Sequence, residues 1–408
     1  MNCRHCDAPL KQVFIDLGHQ PASNAYLNAQ QLRENEVHAP LETFVCNECW
    51  LVQLPAHHRS DELFTPDYAY FSSVSTSWVK HAEHFVSDAI ARFQLSKSDW
   101  VVEIASNDGY LLQFVQAAGI PCTGIEPTAS TAAAARAKGI ESIGEFFGAE
   151  FARKIAGQRG HAKLTVANNV LAHVPDINDF VEGFSILLAP DGVATFEFPH
   201  LVNLIEQCQF DTIYHEHYSY LSLTAVQRIF AAKGLRIFDV EKIPTHGGSL
   251  RIFACRNDSS NYPQQASIAT LLEEELSAGI ATPAYYETLA ERAEAIKIDL
   301  LEFLVTQKRA GKTIAAYGAA AKGNTLLNFV GVHRDLLSFV CDAAPSKQNH
   351  FMPGSHIPIL APEAMYERKP DFVLILPWNL TKEITTTHEG IAEWGGKFCT
   401  AIPQFTIL

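Results

Sequence analysis

Between Asp211 and Tyr220 the chain reads Asp-Thr-Ile-Tyr-His-Glu-His-Tyr-Ser-Tyr, so two imidazoles, two carboxylates and three phenols fall within ten residues. Burying that density of ionisable groups is unfavourable unless each is partnered or used. Imidazole titrates near neutrality, and carboxylates and phenols are its usual companions in proton transfer. The segment is therefore a candidate for acid–base chemistry. A metallopeptidase helix is excluded, because that motif needs His-Glu-x-x-His to bring both rings onto one face. A metal ion on His215 and His217 and a plain polar turn stay open as alternatives.

Cys3-Arg-His-Cys6 and Cys46-Asn-Glu-Cys49 are two Cys-x-x-Cys pairs with 39 residues between them. Each pair presents two thiolates from one tight turn, and two such turns close a tetrahedral zinc site. Four thiolates leave no open ligand position, so the expected zinc is structural. A redox pair and an iron–sulfur cluster use the same residue types and remain alternatives.

Val101-Val-Glu-Ile-Ala-Ser-Asn-Asp-Gly-Tyr110 reads as a buried strand ending near Glu103, a small-residue loop from Ala105 to Gly109, and the start of a helix. Such a loop lets a ligand approach the backbone and the helix N-terminus. Glu126 stands 23 residues after Glu103 at the next strand end, where a carboxylate accepts both ribose hydroxyls of an adenosine. The loop lacks the Gly-x-Gly-x-x-Gly that a dinucleotide pyrophosphate requires. Acidic groups at Glu103 and Asp108 suit a cationic sulfonium, so S-adenosylmethionine is expected ahead of a nicotinamide cofactor. Asn107 completes the loop, Phe146 and Phe147 offer aromatic walls for adenine, and Asn169 follows the fourth strand.

A second strand–loop–helix unit starts near residue 313, with Gly318-Ala-Ala-Ala-Lys322-Gly-Asn324 as its turn. The turn resembles a phosphate cradle without being a Walker loop. Asp342, 24 residues after Gly318, again falls where a ribose is held.

These groups need elements to carry them. At 408 residues the chain exceeds one core, and 47 % hydrophobic against 19 % charged residues supplies several. A net charge of −14 excludes a general nucleic-acid binder. The N-terminus lacks the apolar core of a signal peptide and no 18 apolar residues run together, so neither membrane nor secretion is expected, and the predicted location is the cytoplasm. Helical spacing from 75 to 95 leads into six strand candidates beginning at 100, 121, 162, 192, 235 and 249, the first four alternating with helical stretches. That rhythm predicts a doubly wound α/β sheet. Residues 264–311 read as one long or two consecutive helices, and residues 1–60 show no sustained helical period.

The chain resembles the sugar C-methyltransferase family. The resemblance rests on the two Cys-x-x-Cys pairs, EIASNDGYLL, ANNVLAHV, YHEHYSY, HGGSLR, GAAAKGNTLLN and LPWN, which together span essentially the whole chain. Where Ala105 stands the family usually carries Gly, a change that narrows the loop and keeps its carboxylates. The resemblance implies a zinc-binding lobe (1–65), a class I methyltransferase domain with a Rossmann-like sheet (66–262), and a helical linker followed by a second Rossmann-like α/β domain for the nucleotide (263–408). It implies C-methylation of a nucleotide-linked 4-keto-deoxysugar, carried on thymidine diphosphate, at C3 or C5 through an enolate. A monomer is expected.

Within that chemistry His217 is the expected base and Glu216 its support. Tyr214 is the alternative base or the donor to the keto oxygen. His173 and Tyr68 look like the family's further active-site groups. Lys322 and Lys347 are expected at the diphosphate, with His246, Ser249 and Arg251 beside it and Tyr317, Asn324 and Asp342 completing the substrate site. The rival readings are a nicotinamide oxidoreductase using the Gly318 loop, another small-molecule methyltransferase, and a non-catalytic zinc-ribbon module.

Overall fold

A computed structural model describes residues 1–57 and 71–408. Tyr68 lies outside the described residues.

The N-terminal segment folds as β1 (Gln12–Gln20), β2 (Ala39–Val45) and β3 (Val52–Gln53). Along β2 every second residue is buried, the period-two pattern of an antiparallel sheet with one covered face. Helix Thr76–Phe93 follows, its N-terminus capped by the Ser75 hydroxyl accepting from the Trp78 amide; Trp78, Ala82, Phe85, Val86, Ala89 and Phe93 form its buried stripe.

Five parallel strands come next: β4 (Val101–Ile104), β5 (Cys122–Ile125), β6 (Ser142–Ile143), β7 (Ala162–Asn168) and β8 (Leu188–Pro199). Strand β4 is buried at all four positions, as expected where helices cover both faces of a parallel sheet. The chain then leaves this sheet, and β9 (Ser219–Tyr220) pairs antiparallel with β3 of the N-terminal sheet. It returns as β10 (Leu235–Ile243) and β11 (Ser249–Arg256), with β11 inserted antiparallel between β10 and β8. The resulting order is β10-β11-β8-β7-β4-β5-β6, and all six strand candidates fall on observed strands.

Residues 264–311 form two helices, Ala266–Ala278 and Thr288–Arg309. The break is Gly279, at φ 101° in the left-handed region, followed by a 3-10 turn with Pro283 at its start. The last sheet contains β12 (Ile314–Tyr317), β13 (Val340–Cys341), β14 (Ile359–Leu360), β15 (Phe372–Ile375), β16 (Lys397–Thr400) and β17 (Thr406–Ile407), in the order β14-β13-β12-β15-β16-β17. Only β17 runs antiparallel.

The N-terminal sheet has no core to itself. Phe14, Ile15, Leu17 and Leu41 share one cluster with Leu289, Ile296 and Leu300 of the long helix and with Ile314 and Leu374 of the last sheet. Cys3, Cys46, Cys49 and Leu51 instead pack with Phe180, Phe184 and Ile229 of the seven-stranded domain. The N-terminal segment is thus a wedge between the two α/β units. Among the described residues no helix is long and apolar enough to cross a membrane.

Candidate active site

The two cysteine turns meet. The four sulfur atoms of Cys3, Cys6, Cys46 and Cys49 lie within 4.8 Å of one another, the set of soft ligands that zinc takes in a closed structural site. Asp7 and Trp50, each one residue past a pair, have φ of 61° and 63°, which curls the backbone around the sulfurs. Gln53 donates to the Cys3 sulfur at 3.2 Å and its side-chain oxygen accepts from the Arg4 amide. No other cluster of candidate metal ligands occurs among the described residues, and the alternative of a metal on His215 and His217 fails. His215 is buried against the Pro40 carbonyl at 3.2 Å, whereas His217 lines a cavity that His215 does not reach.

That cavity, of about 1200 Å³, sits at the carboxyl ends of β4, β5, β7 and β8 and is closed by the Thr212–His217 segment and by the last domain. On the side of the first loop it is lined by Ala105, Asn107, Glu126, Phe146, Phe147 and Asn169. Ala105 has φ 54°, a left-handed conformation that explains why glycine is at home there. Glu126 accepts from the Asn107 amide through one oxygen and from the Thr128 amide through the other, both at 2.8 Å, so its carboxylate is fixed with lone pairs to spare. Phe147 is wedged against Phe180 and Phe184, while Phe146 stands half exposed at the mouth. Both side-chain polar atoms of Asn168 and the Asn169 side-chain oxygen are buried on the wall with no protein partner. Orphaned polar atoms of this kind are rare in finished cores and common where a ligand completes the bonding, so the residues fit an adenosine-bearing cofactor.

Two of the expected cofactor residues stand behind the wall. Glu103 is fully buried, which pushes its carboxyl well above the ordinary range, with the Tyr110 phenol opposing that shift. Asp108 is bound by the Ser73 hydroxyl and by Lys138 at 3.3 Å, and braces the loop from below.

Across the cavity Tyr214, Glu216, His217 and His173 converge. His217 Nδ1 lies 2.8 Å from the Thr212 carbonyl and His173 Nδ1 lies 2.9 Å from the Glu216 carbonyl; a carbonyl can only accept, so both Nδ1 atoms carry the proton. The neutral rings therefore keep their lone pairs at Nε2. The Tyr214 ring lies 4.0 Å from that of His217, and His173 meets His217 edge-on at 4.6 Å. Burial holds His217 well below its ordinary pKa and His173 down at about 4. Glu216, the expected support of His217, lines the same cavity. Its two oxygens accept from the Asn24 amide group at 2.9 and 2.7 Å, so the N-terminal segment grips the Tyr214–His217 turn.

From the last domain Lys322 and Lys347 reach the cavity, and His246 reaches it from the loop after β10. Lys322 donates to Asn379 at 2.8 Å and lies over the Trp378 ring. Five residues expected at the substrate do not line the cavity. Ser249 donates to the Thr245 carbonyl, and Arg251 is buried in an ion pair with Glu197 at 2.6 Å. Tyr317 packs on His388, with burial pushing its phenol up to about 12. Asn324 donates to the Ser23 carbonyl, and Asp342 accepts the Ala319 and Ala344 amides. Each binds the protein's own backbone or a neighbouring side chain, the reason it does not line the cavity. The sequence reading missed Trp78, His81, Thr245, Asn24 and Asn379, all of which line the cavity. Asn379 ends the LPWN motif without having been singled out there, the other four sit in no recognisable motif, and only helical periodicity marked the segment holding Trp78 and His81.

Comparison with known proteins agrees with this architecture. A zinc binding domain profile matches residues 3–64, a methyltransferase domain profile 78–240, and a C-methyltransferase C-terminal domain profile 244–403. C-methyltransferase NovU of Streptomyces niveus is 36 % identical over 402 residues, covering 98 % of this chain and 95 % of that protein. Among solved structures, a SAM-dependent methyltransferase from Anabaena variabilis covers 50 % of this chain and 99 % of its own, with 13 % identity and a TM-score of 0.37. Magnesium protoporphyrin IX methyltransferase from Synechocystis covers 44 % and 79 %, with 15 % identity and a TM-score of 0.34. The match across nearly all of both chains decides for a methyl donor over a nicotinamide: this chain belongs to the C-methyltransferase family, as an S-adenosylmethionine-dependent enzyme with an N-terminal zinc-binding domain.

Proposed function

We propose that the enzyme methylates a carbon next to the 4-keto group of a nucleotide-linked deoxysugar, at C3 or C5. The observation that carries this reading is one cavity that brings together three chemistries: the acidic loop with Glu126, the imidazole–phenol edge of Tyr214 and His217, and the ammonium groups of Lys322 and Lys347. A sulfonium methyl donor, an enolisable sugar and a diphosphate are the three ligands that match them in charge.

S-adenosylmethionine supplies the electrophilic methyl group. Glu126 binds the ribose hydroxyls, and Asn168 and Asn169 offer the polar edge beside them. His217, its Nδ1 tied to Thr212, presents Nε2 to take the proton from the carbon next to the ketone. Tyr214, beside that ring, donates to the keto oxygen as negative charge builds there, so the enolate carbon is held ready for in-line attack. Lys322 and Lys347 hold the diphosphate and fix the sugar's register.

The test is incubation with S-adenosylmethionine and a panel of nucleotide-linked sugars with and without the 4-ketone. A product one methylene heavier, formed from ketosugars alone, supports the reading. Methylation that is indifferent to the ketone or to the nucleotide sinks it.

A further inference from the structure

The reaction releases a proton for every methyl group transferred: a C–H bond and an S–CH3 bond break, a C–CH3 bond forms, and the sulfonium becomes a neutral thioether. That proton must be held somewhere until it reaches water. His217 is a poor place to leave it, because its surroundings are apolar and further imidazoles at His173 and His246 and the Lys322 ammonium face it. Its hydrogen-bond partner is a neutral carbonyl that cannot balance a positive ring.

His81 differs. It lines the same cavity from the first turns of helix Thr76–Phe93, and its ring packs against Trp78, which in turn touches His246. Its Nε2 lies 2.8 Å from Oε2 of Glu197, a side chain with no exposed surface. Arg251 reaches the same oxygen at 2.6 Å, and the Thr245 hydroxyl donates to the other at 2.8 Å. Both nitrogens converge on one carboxylate oxygen, which is why Nε2 and the guanidinium lie only 2.9 Å apart. Three donors hold Glu197 ionised; its carboxyl sits below the ordinary range even though burial alone would raise it. A carboxylate acceptor puts the ring proton on Nε2 and leaves the lone pair at Nδ1. Where His217 and His173 bond backbone carbonyls, His81 bonds a carboxylate.

We infer that His81, backed by Glu197, is the terminal proton acceptor of the reaction. The substrate carbon loses its proton to His217, and the proton comes to rest on Nδ1 of His81, whose Nε2 stays bonded to the Glu197 carboxylate that it shares with Arg251. The deprotonated His217 is thereby restored before the methylated product leaves. Arg251 is a positioning residue, keeping Glu197 charged and aimed.

The inference rests on the functional reading above, and the experiment separates the two. His81→Gln in the full-length enzyme should lower kcat about 100-fold, the scale of one acid–base group, with KM for the ketosugar and affinity for adenosylhomocysteine within about 3-fold of wild type. Added imidazole should restore turnover in proportion to its concentration, which a merely structural role does not allow. Glu197→Gln, which keeps the shape and loses the charge, should lower kcat in the same direction. Wild-type turnover together with a His81→Gln variant within about 3-fold in kcat, or one that imidazole leaves unimproved, overturns this inference alone. Failure of the wild-type enzyme to methylate any ketosugar overturns the functional reading and this inference with it.

Discussion

The two α/β units of this chain share a local device and use it differently. In the seven-stranded unit Glu126 follows β5 and accepts two amides, from Asn107 in the loop after β4 and from Thr128 two residues on. In the six-stranded unit Asp342 follows β13 and does the same, accepting Ala319 from the loop after β12 and Ala344 two residues on. Yet Glu126 faces a cavity and Asp342 faces protein. Tyr26 of the N-terminal segment donates to the Ala319 carbonyl at 2.6 Å, Asn324 holds Ser23, and Lys347 also donates to Ala319. At Asp342 the crevice where an open α/β sheet usually takes its ligand is, in the second unit, covered by the chain's own N-terminal strap. An acidic residue at a second strand's end is thus a loop clamp first and a ribose acceptor only where the crevice stays open.

The sharpest way to break this comparison is to remove both acids in turn. Glu126→Ala should weaken adenosylhomocysteine binding at least 100-fold, about 3 kcal/mol, since two charge-assisted hydrogen bonds and the loop geometry go together. Asp342→Ala should leave that affinity unchanged and lower the melting temperature instead. Calorimetric titration with a thermal melt reads both; equal losses of affinity would show that the second acid is no mere clamp.

A pH effect marks the seam between the units. Asp211, three residues before Tyr214, accepts from Trp378 of the last domain at 2.8 Å. Burial raises its carboxyl from 3.8 to about 6, with Lys322 opposing. A raised folded-state pKa means this group favours the folded state below about pH 4 and loses that advantage as pH rises through 6. Asp211→Asn keeps an acceptor for Trp378 and abolishes the titration. The variant should therefore be more stable than wild type at pH 8, on the order of 2 kcal/mol, with the gap closing toward pH 4. Denaturant melts across that range check the sign; a gap that widens on acidification would contradict it.

Much of this was legible in the residues. The four-cysteine site and six of the seven strands of the central sheet could be read because short-range spacing sets them: two thiolates per turn, and buried strands of continuous apolar sequence. The Tyr214–His217 turn announced itself by density of polar groups. What could not be read was which side chains the tertiary fold would spend on its own backbone. Arg251 and Asn324 carry the right chemistry for a substrate, and only the positions of Glu197 and Ser23 show that each is already engaged. His81 was invisible for the opposite reason, because nothing in the sequence of its amphipathic helix sets it apart from His84, three residues on and exposed. The pairing of β9 with β3 was equally hidden, since a two-residue strand has no periodicity.

Charge offers a milder test of the same contrast. Lys322→Ala should raise the dissociation constant for thymidine diphosphate about 10-fold, close to one charge-assisted contact, and leave adenosylhomocysteine binding as it was. Loss of both affinities would mean that the two halves of the cavity are not independent.

The smallest effect is expected where the N-terminal strap meets the catalytic turn, and it bears on why a zinc lobe is present at all. From Cys3 a chain of contacts runs through Gln53 to the β3–β9 pairing of Gln53 with Ser219, two residues past His217. From the other side Asn24 grips Glu216, whose carbonyl orients His173. Among the described residues the lobe thus braces the turn from both ends without supplying a reacting group. Asn24→Ala should lower kcat about 5-fold, with ketosugar KM and adenosylhomocysteine affinity little changed, because Glu216 and His173 lose alignment and keep their chemistry. Chelating the zinc should produce the same kcat loss before the last domain melts. A chelated enzyme that keeps full kcat until global unfolding would reduce the lobe to a stabilising wedge.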